Sequence, residues 1–186
     1  MSQMEDRIKM LFGNSIEAKI AAADALSGLI ASSGLRLANC LLNDGKILVC
    51  GNGGSAANGL QFSTALLNLF EIERPALPVI ALAGESVTLT SIAHNGQYDN
   101  IFARQIHALG QEGDILLILS TSGSSGSLIN AVNAANDRNM DTIALSGHDG
   151  GILANHLGPE DIEIRIASNN AARIREMHLF IIHCLS

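Results

Sequence analysis

Tryptophan is absent from the 186 residues, tyrosine occurs once, and aromatic residues together make up 3%. A surface on which nucleobases stack needs such rings, so a stacking platform is excluded. Basic residues are scarce as well: Lys plus Arg number 11 against 18 Asp plus Glu, a formal charge of −7. A surface that acidic repels phosphate backbones, which argues against direct binding of nucleic acid. The three cysteines, Cys40, Cys50 and Cys184, form no CxxC pair and no Cys/His cluster. Each lies in an apolar run and is expected in the core. The first residues, Met-Ser-Gln-Met-Glu-Asp, carry neither a basic nor an apolar stretch of the signal-peptide kind. The most apolar long stretch, 20–31, contains Asp24 and Ser27 and is short for a bilayer. A cytoplasmic protein without a membrane partner is expected.

Apolar residues amount to 47% of the chain, enough for the core of one domain of this length. From Ile16 to Leu42 they fall at 16, 20, 23, 26, 30, 37 and 41, one face of a long helix with Gly34 as a weak point. A shorter amphipathic piece, Met4 to Phe12, precedes it. Short apolar runs follow at 46–50, 78–82, 114–119, 141–146 and 161–166, with helical stretches at 56–70, 128–139 and from about Asn170 onward. Such runs alternating with helices indicate parallel strands covered on both faces. The expectation is a three-layer α/β/α sandwich, with residues 1–44 as an N-terminal helical arm and 45–186 as the sheet domain. On the last helix, Ile174, Met177, Ile181, Ile182 and Leu185 form one apolar stripe and Ala172, Leu179 and Phe180 a second. A helix apolar on two sides is covered from both, so a homo-oligomer is expected.

Two βα turns are rich in Gly and Ser: Gly51-Asn-Gly-Gly-Ser55 and Ser120-Thr-Ser-Gly-Ser-Ser-Gly-Ser127. The first turn of a helix leaves backbone N–H groups unpaired and carries partial positive charge, so it attracts anions. Gly admits a phosphate to the backbone, and hydroxyls add donors. One such turn is also an ordinary N-cap. Two on one edge of a parallel sheet point to a phosphate-binding cleft. The first turn also fits G-x-G-x-x-A, but a dinucleotide fold wants an acidic residue about 20 residues on. The next strand ends near Glu85, more than 30 residues from Gly51.

The segments Cys50-Gly-Asn-Gly-Gly-Ser-Ala-Ala57, Glu73-Arg-Pro75, Ser120-Thr-Ser-Gly-Ser-Ser125 and Arg173-Ile-Arg-Glu-Met-His178 resemble a SIS (sugar isomerase) domain. The resemblance covers nearly the whole chain and falls in the branch holding the phosphoheptose (sedoheptulose 7-phosphate) isomerases and the DiaA-like proteins, which associate with the initiator DnaA. It implies a five-stranded parallel sheet, a homotetramer built through the helical arm, and a phosphorylated sugar as ligand. The phosphate- and substrate-binding positions it carries over are Asn52, Gly53, Gly54, Ser55, Ser120, Thr121, Ser122 and Ser125.

The catalytic positions depart from the isomerase pattern. Proton transfer between adjacent carbons needs a base, usually a carboxylate. Where the isomerases have a His and a Glu one helical turn apart, this chain has Gln61 and Ala65. Leu69 replaces a substrate-binding Arg, Asn95 an Asp, and Ala172 and Arg175 an Asp and a Gln. His183 alone survives, a catalytic possibility that reads more readily as an interface residue, and His178 reads as packing. Glu176 lies two turns from His183, about 10 Å along the axis, a poor pairing for acid–base work. No metal set is apparent, and zinc enters only if the chain is an isomerase.

In detail the sequence looks nearest the DiaA-like members. The expectation is therefore a catalytically inactive homotetramer that binds DnaA and promotes initiation of chromosome replication. The alternatives are an isomerase whose carboxylate comes from elsewhere, Glu85 or Asp99, and a plain phosphosugar-binding module.

Overall fold

The five apolar runs become five parallel strands: β1 (Ile47–Gly51), β2 (Val79–Ala81), β3 (Ile115–Leu119), β4 (Asp141–Gly147) and β5 (Ile162–Ile166), in the order β2-β1-β3-β4-β5. The computed structural model describes residues 2–186. Successive side chains point to opposite faces of a strand, and here both sets are apolar. Ile47, Val49, Ile115, Leu117, Ile143, Leu145 and Ile164 enter one core, with Leu37, Phe62, Leu66, Ile174 and Met177 from the helices α1 (Gln3–Leu42), α2 (Gly54–Leu67) and α6 (Ala171–Leu185). Leu48, Cys50, Leu116, Ile118 and Ala144 enter the other, under α3 (Ser86–His94), α4 (Ala103–Leu109) and α5 (Gly126–Asp137). The three-layer sandwich holds.

Several boundaries differ from the sequence reading. The two N-terminal pieces are one helix of 40 residues, started by a capping box between Ser2 and Glu5. Gly34 does not interrupt it: a helical glycine costs only about 1 kcal/mol relative to alanine, and no proline intervenes. The helix stretch expected to reach Phe70 stops at Leu67. Helices α3 and α4 were not foreseen, because their mixed polar sequence carries little apolar period. Cys40 and Cys50 are buried as expected, but Cys184 is exposed, on the side of α6 turned away from the sheet.

Helix α1 plays two roles. Its second half joins the core through Leu26, Ile30, Leu37 and Cys40. Its first half leaves Met4, Ile8, Leu11, Phe12, Ile16 and Ile20 exposed. By length and composition α1 could cross a membrane, with one 18-residue window of mean hydropathy 1.3, of which 22% is buried within the molecule. Between α1 and α6 runs a groove of about 710 Å3 lined by Ala22, Ile30, Leu35, Met177 and Phe180 among others.

Strands β1 and β3 are neighbours, yet the chain leaves them in opposite directions: β1 leads through α2 to the edge strand β2, and β3 through α5 to β4. The two following helices lie on opposite faces of the sheet. This reversal opens a crevice at the carboxyl ends of β1 and β3, the place where α/β sheets hold ligands.

Candidate functional site

The crevice is built by the two Gly/Ser turns. Gly51 lets them close on each other, because a Cβ there would lie 2.9 Å from the Leu119 carbonyl oxygen. Gly53 takes a positive φ of 54° at the start of α2, a conformation other residues adopt at a cost. Across the crevice, the Asn52 side-chain amide donates to the hydroxyls of Ser125 (2.8 Å) and Ser127 (2.9 Å). The Tyr98 hydroxyl, 3.3 Å away, donates to Asn52 Oδ1. Asn52 thus ties the first turn to the second and to the segment before α4.

Below this tie lies a cavity of about 130 Å3 lined by Asn52, Ser55, Leu119, Ser120, Thr121, Ser122, Ser125 and Leu128. Six of the eight expected binding residues line it. Gly53 lines an adjoining cavity of about 250 Å3, together with Asn52, Ala83, Thr90, Ala93 and Tyr98. Gly54 lines neither; it packs against Arg175 of α6. The smaller space suits a phosphate group and the larger a short polyol chain. Together they reach the lower end of the roughly 300–1,000 Å3 usual for small-molecule sites.

The polar groups of the small cavity differ in how they are engaged. The Ser120 hydroxyl accepts from the Gly123 N–H at 2.9 Å, which shapes the second turn. Ser55 is 4% exposed, lines the cavity, and its hydroxyl makes no hydrogen bond among the described residues. The hydroxyl is not among the buried unpartnered polar atoms, so it opens onto the cavity and is free to donate there. Helices α2 and α5 both begin at this cavity, since Ser55 in the first turn of α2 and Ser125, the N-cap of α5, line it.

Candidate acid–base groups are placed as follows. Ala65 is buried, and its carbonyl accepts from Arg74 Nη2 at 3.2 Å, so this turn of α2 offers packing rather than a proton acceptor. Gln61 is exposed. His183 stacks on Phe70, ring centroids 5.2 Å apart, and does not line the Ser-rich cavity. Glu176 is held by Ser15, Lys19 (3.0 Å) and Arg173 (2.6 Å); the Ser15 hydroxyl foremost, then Lys19 and Arg173, hold its carboxyl below the usual range. It is unsuited to act as a base. Glu85 lines a different cavity, with Ile80, Thr88 and Arg104. Asp99 is different: its carboxylate covers the start of α5, within 2.8 Å of where a Cβ on Gly126 would stand. Asp99 lines neither cavity of the cleft, and no carboxylate does, whereas the isomerase alternative expected one to enter it.

Zinc does not fit the residues present. Gln61, Ala65 and Arg175 supply no imidazole, thiolate or carboxylate, and no group of three or more metal-binding side chains occurs among the described residues.

His178 is fully buried, its Nε2 donating to the Ser146 carbonyl at 2.9 Å. That carbonyl can only accept, so Nδ1 is a bare lone pair, and it is unpartnered. Burial first, and then the Arg175 charge, push the imidazole pKa down to about 4, with the Ser146 bond opposing them. His178 is structural, as expected, and steadies the end of β4.

Sequence reasoning missed Tyr98, Ser127 and the turn 147–151. The last of these presses on the second loop: a Cβ on Gly123 would lie 1.9 Å from the Gly150 carbonyl oxygen, and Leu153 N–H donates to the Gly123 carbonyl at 2.8 Å. The available signals were the single tyrosine and the Gly150-Gly151 pair.

Comparison with known proteins agrees with this geometry. A family model described as SIS domain matches residues 12–147. A phosphoheptose isomerase of Halorhodospira halophila is 56% identical over 180 residues, 97% of this chain and 91% of that protein. One from Shewanella baltica is 54% identical over 182 residues, 98% and 92% of the two chains. The solved phosphoheptose isomerase of Francisella tularensis superposes with a TM-score of 0.95 at 46% identity, covering 100% of this chain and 96% of that one. That of Neisseria gonorrhoeae gives 0.92 at 38%, covering 98% and 96%. The placement nearest the DiaA-like regulators is thereby corrected: these relatives back the isomerase alternative better than a DnaA-binding regulator.

Proposed function

The chain belongs to the SIS domain family, and from that premise we propose that it binds a phosphorylated sugar in the Ser-lined cleft and interconverts the ketose and aldose forms of a phosphoheptose. The observation that carries the binding is the Ser55 hydroxyl, which opens onto a phosphate-sized cavity at the starts of α2 and α5 and has no hydrogen-bond partner among the described residues. The names of relatives at 54–56% identity support the reaction.

In this reading the phosphate accepts from Ser55, Thr121, Ser122 and Ser125, and the carbon chain extends past Asn52 toward Tyr98. A base removes a proton from the carbon beside the carbonyl, giving an enediol, and the proton returns to the neighbouring carbon. Asp99 is the candidate base: it lines neither cavity, but its carboxylate lies at the start of α5, next to Ser125, which lines the smaller one. The cytoplasm is the proposed compartment. A homotetramer is proposed on the exposed apolar residues of the first half of α1 and the α1–α6 groove. Light scattering of the purified protein tests that assembly.

Turnover of sedoheptulose 7-phosphate tests the reaction. Wild type should convert it to the aldoheptose 7-phosphate, Ser55→Ala should raise KM, and Asp99→Asn should lower kcat with KM nearly unchanged. The buried Ala65 favours a second reading, sugar-phosphate binding without turnover. Binding of the heptose phosphate by a folded but inactive wild type would establish that reading instead.

A further inference from the structure

At the edge of the sheet a cavity of about 550 Å3 opens beside β2, lined from α3 and α4 as well. It shares no residue with either cavity of the cleft. Its volume lies within the range usual for small-molecule sites. Part of the wall is apolar: Ile80 of β2, Ile92 of α3 and Leu109 of α4. The rest is polar: Glu85, which precedes α3, then Thr88, and Arg104 and Gln105 of α4. Thr88 and Ile92 stand one turn apart on α3, as Gln105 and Leu109 do on α4, so each helix turns one mixed face to the space.

Gln105 is the unusual member, a polar side chain only 7% exposed. Its amide nitrogen donates to the carbonyls of Leu82 (3.1 Å) and Ile101 (2.8 Å). Backbone carbonyls only accept, so the amide cannot turn over and Oε1 is fixed as an acceptor. Oε1 makes no hydrogen bond among the described residues and is not one of their buried unpartnered atoms, so it opens onto the cavity that its residue lines. A side chain this buried, pinned at one end and open at the other, calls for a donor from outside the fold. The charges show the same incompleteness. Among the described residues the Glu85 carboxylate has no hydrogen bond or ion pair, and Arg104 has only a long bond to Gln97 Oε1 at 3.4 Å. Opposite charges that line one cavity without meeting each other are complementary to a ligand that carries both.

We propose that this cavity binds a free α-amino acid with an apolar side chain, its ammonium on Glu85 and Gln105 Oε1, its carboxylate on Arg104 and its side chain on Ile80, Ile92 and Leu109. An ammonium brings three donors and matches two acceptors of which one is charged, while the planar guanidinium matches a carboxylate. A simple cation would leave Arg104 facing a like charge, and a simple anion would face Glu85 and Gln105 Oε1. The site stands apart from the Ser-lined cleft, so its test does not depend on the sugar-phosphate reading.

Three probes divide the ligand into its parts. L-Leucine carries both charges, 3-methylbutylamine is leucine without the carboxylate, and 4-methylpentanoate is leucine without the ammonium. Isothermal titration of the purified protein should show leucine binding with a Kd of about 1 mM or tighter. Each truncated probe should bind about tenfold more weakly, the size of one charge-assisted contact. Glu85→Gln should weaken leucine and 3-methylbutylamine about tenfold and leave 4-methylpentanoate unchanged, and Arg104→Gln should weaken leucine and 4-methylpentanoate and spare the amine. Both side chains are exposed, so the two variants should keep the wild-type thermal midpoint. Absence of leucine binding up to about 10 mM overturns the site. So does equal affinity for leucine and 4-methylpentanoate, which reduces the cavity to an apolar patch. Leucine binding that survives both Glu85→Gln and Arg104→Gln lies elsewhere on the molecule and overturns it as well.

Discussion

The two loops of the cleft do similar work with opposite means. The first, Gly51–Ser55, is nearly bare: its glycines admit close backbone approach, its helix has no side-chain cap, and the Ser55 hydroxyl opens onto the cavity without a hydrogen bond among the described residues. The second, Ser120–Ser127, is internally wired. Ser120 holds Gly123, Ser122 and Ser124 bond each other, Ser125 and Ser127 share Asn52, and the 147–151 turn is wedged against it. A loop whose polar groups bond each other is rigid and already formed, and one whose groups are free is completed by its ligand. Under the proposed binding role, the second loop is the scaffold and the first the receptor.

The largest expected effect breaks the scaffold. Gly123→Ala puts a Cβ 1.9 Å from the Gly150 carbonyl at a φ of +62°, so the turn must move. We expect a loss of about 3 kcal/mol or more, seen as a large fall in thermal midpoint. Gly53→Ala in the first loop meets a positive φ but nothing within 4 Å. With φ 54° and ψ −122°, outside the left-handed helical region, about 2 kcal/mol is expected there from the backbone alone, and a loss as large as that at Gly123 would erase the distinction.

Acid should loosen the support behind the second loop. His178 is neutral in the folded protein down to about pH 4, whereas in the unfolded chain it gains a proton near 6.5. Its contribution is intact above pH 6.5 and is lost as pH falls toward 4, because the unfolded state binds the extra proton. The loss amounts to about 3 kcal/mol over that window. Chemical denaturation at several pH values should show this slope in wild type, and a weaker one in His178→Gln, whose amide can still donate to the Ser146 carbonyl.

Ser55→Ala should do the reverse of Gly123→Ala. Its hydroxyl has no partner in the fold, so thermal stability should change by less than about 0.5 kcal/mol, while affinity for the sugar phosphate falls about tenfold. The smallest effect is expected at Tyr98→Phe, which removes one long hydrogen bond to Asn52 from a half-exposed ring. Stability should shift by about 0.5 kcal/mol, and binding by a factor of about two. A tenfold loss of affinity there would mean that Asn52 is positioned from the Tyr98 side rather than by Ser125 and Ser127.

The sheet and the residues of the Ser-lined cavity were legible in the sequence alone. Five apolar runs and two Gly/Ser turns are local signals, because strand burial and turn conformation depend on residues a few positions apart. That is why Asn52, Ser55, Ser120, Thr121, Ser122 and Ser125 were legible before any fold was known. Proximity across the chain was not. Tyr98 reaches Asn52 from 46 positions away, Asp99 covers Gly126, the 147–151 turn props Gly123, and Arg175 crosses Gly54. These contacts exist only because the strand order reverses between β1 and β3 and α6 returns beside α2. Whether Glu85 or Asp99 stood by the cleft was undecidable from spacing, since both follow β2 in polar sequence without strong period. Only the packing of α3, α4 and α5 on one face of the sheet sends Glu85 to a separate cavity and leaves Asp99 at the start of α5.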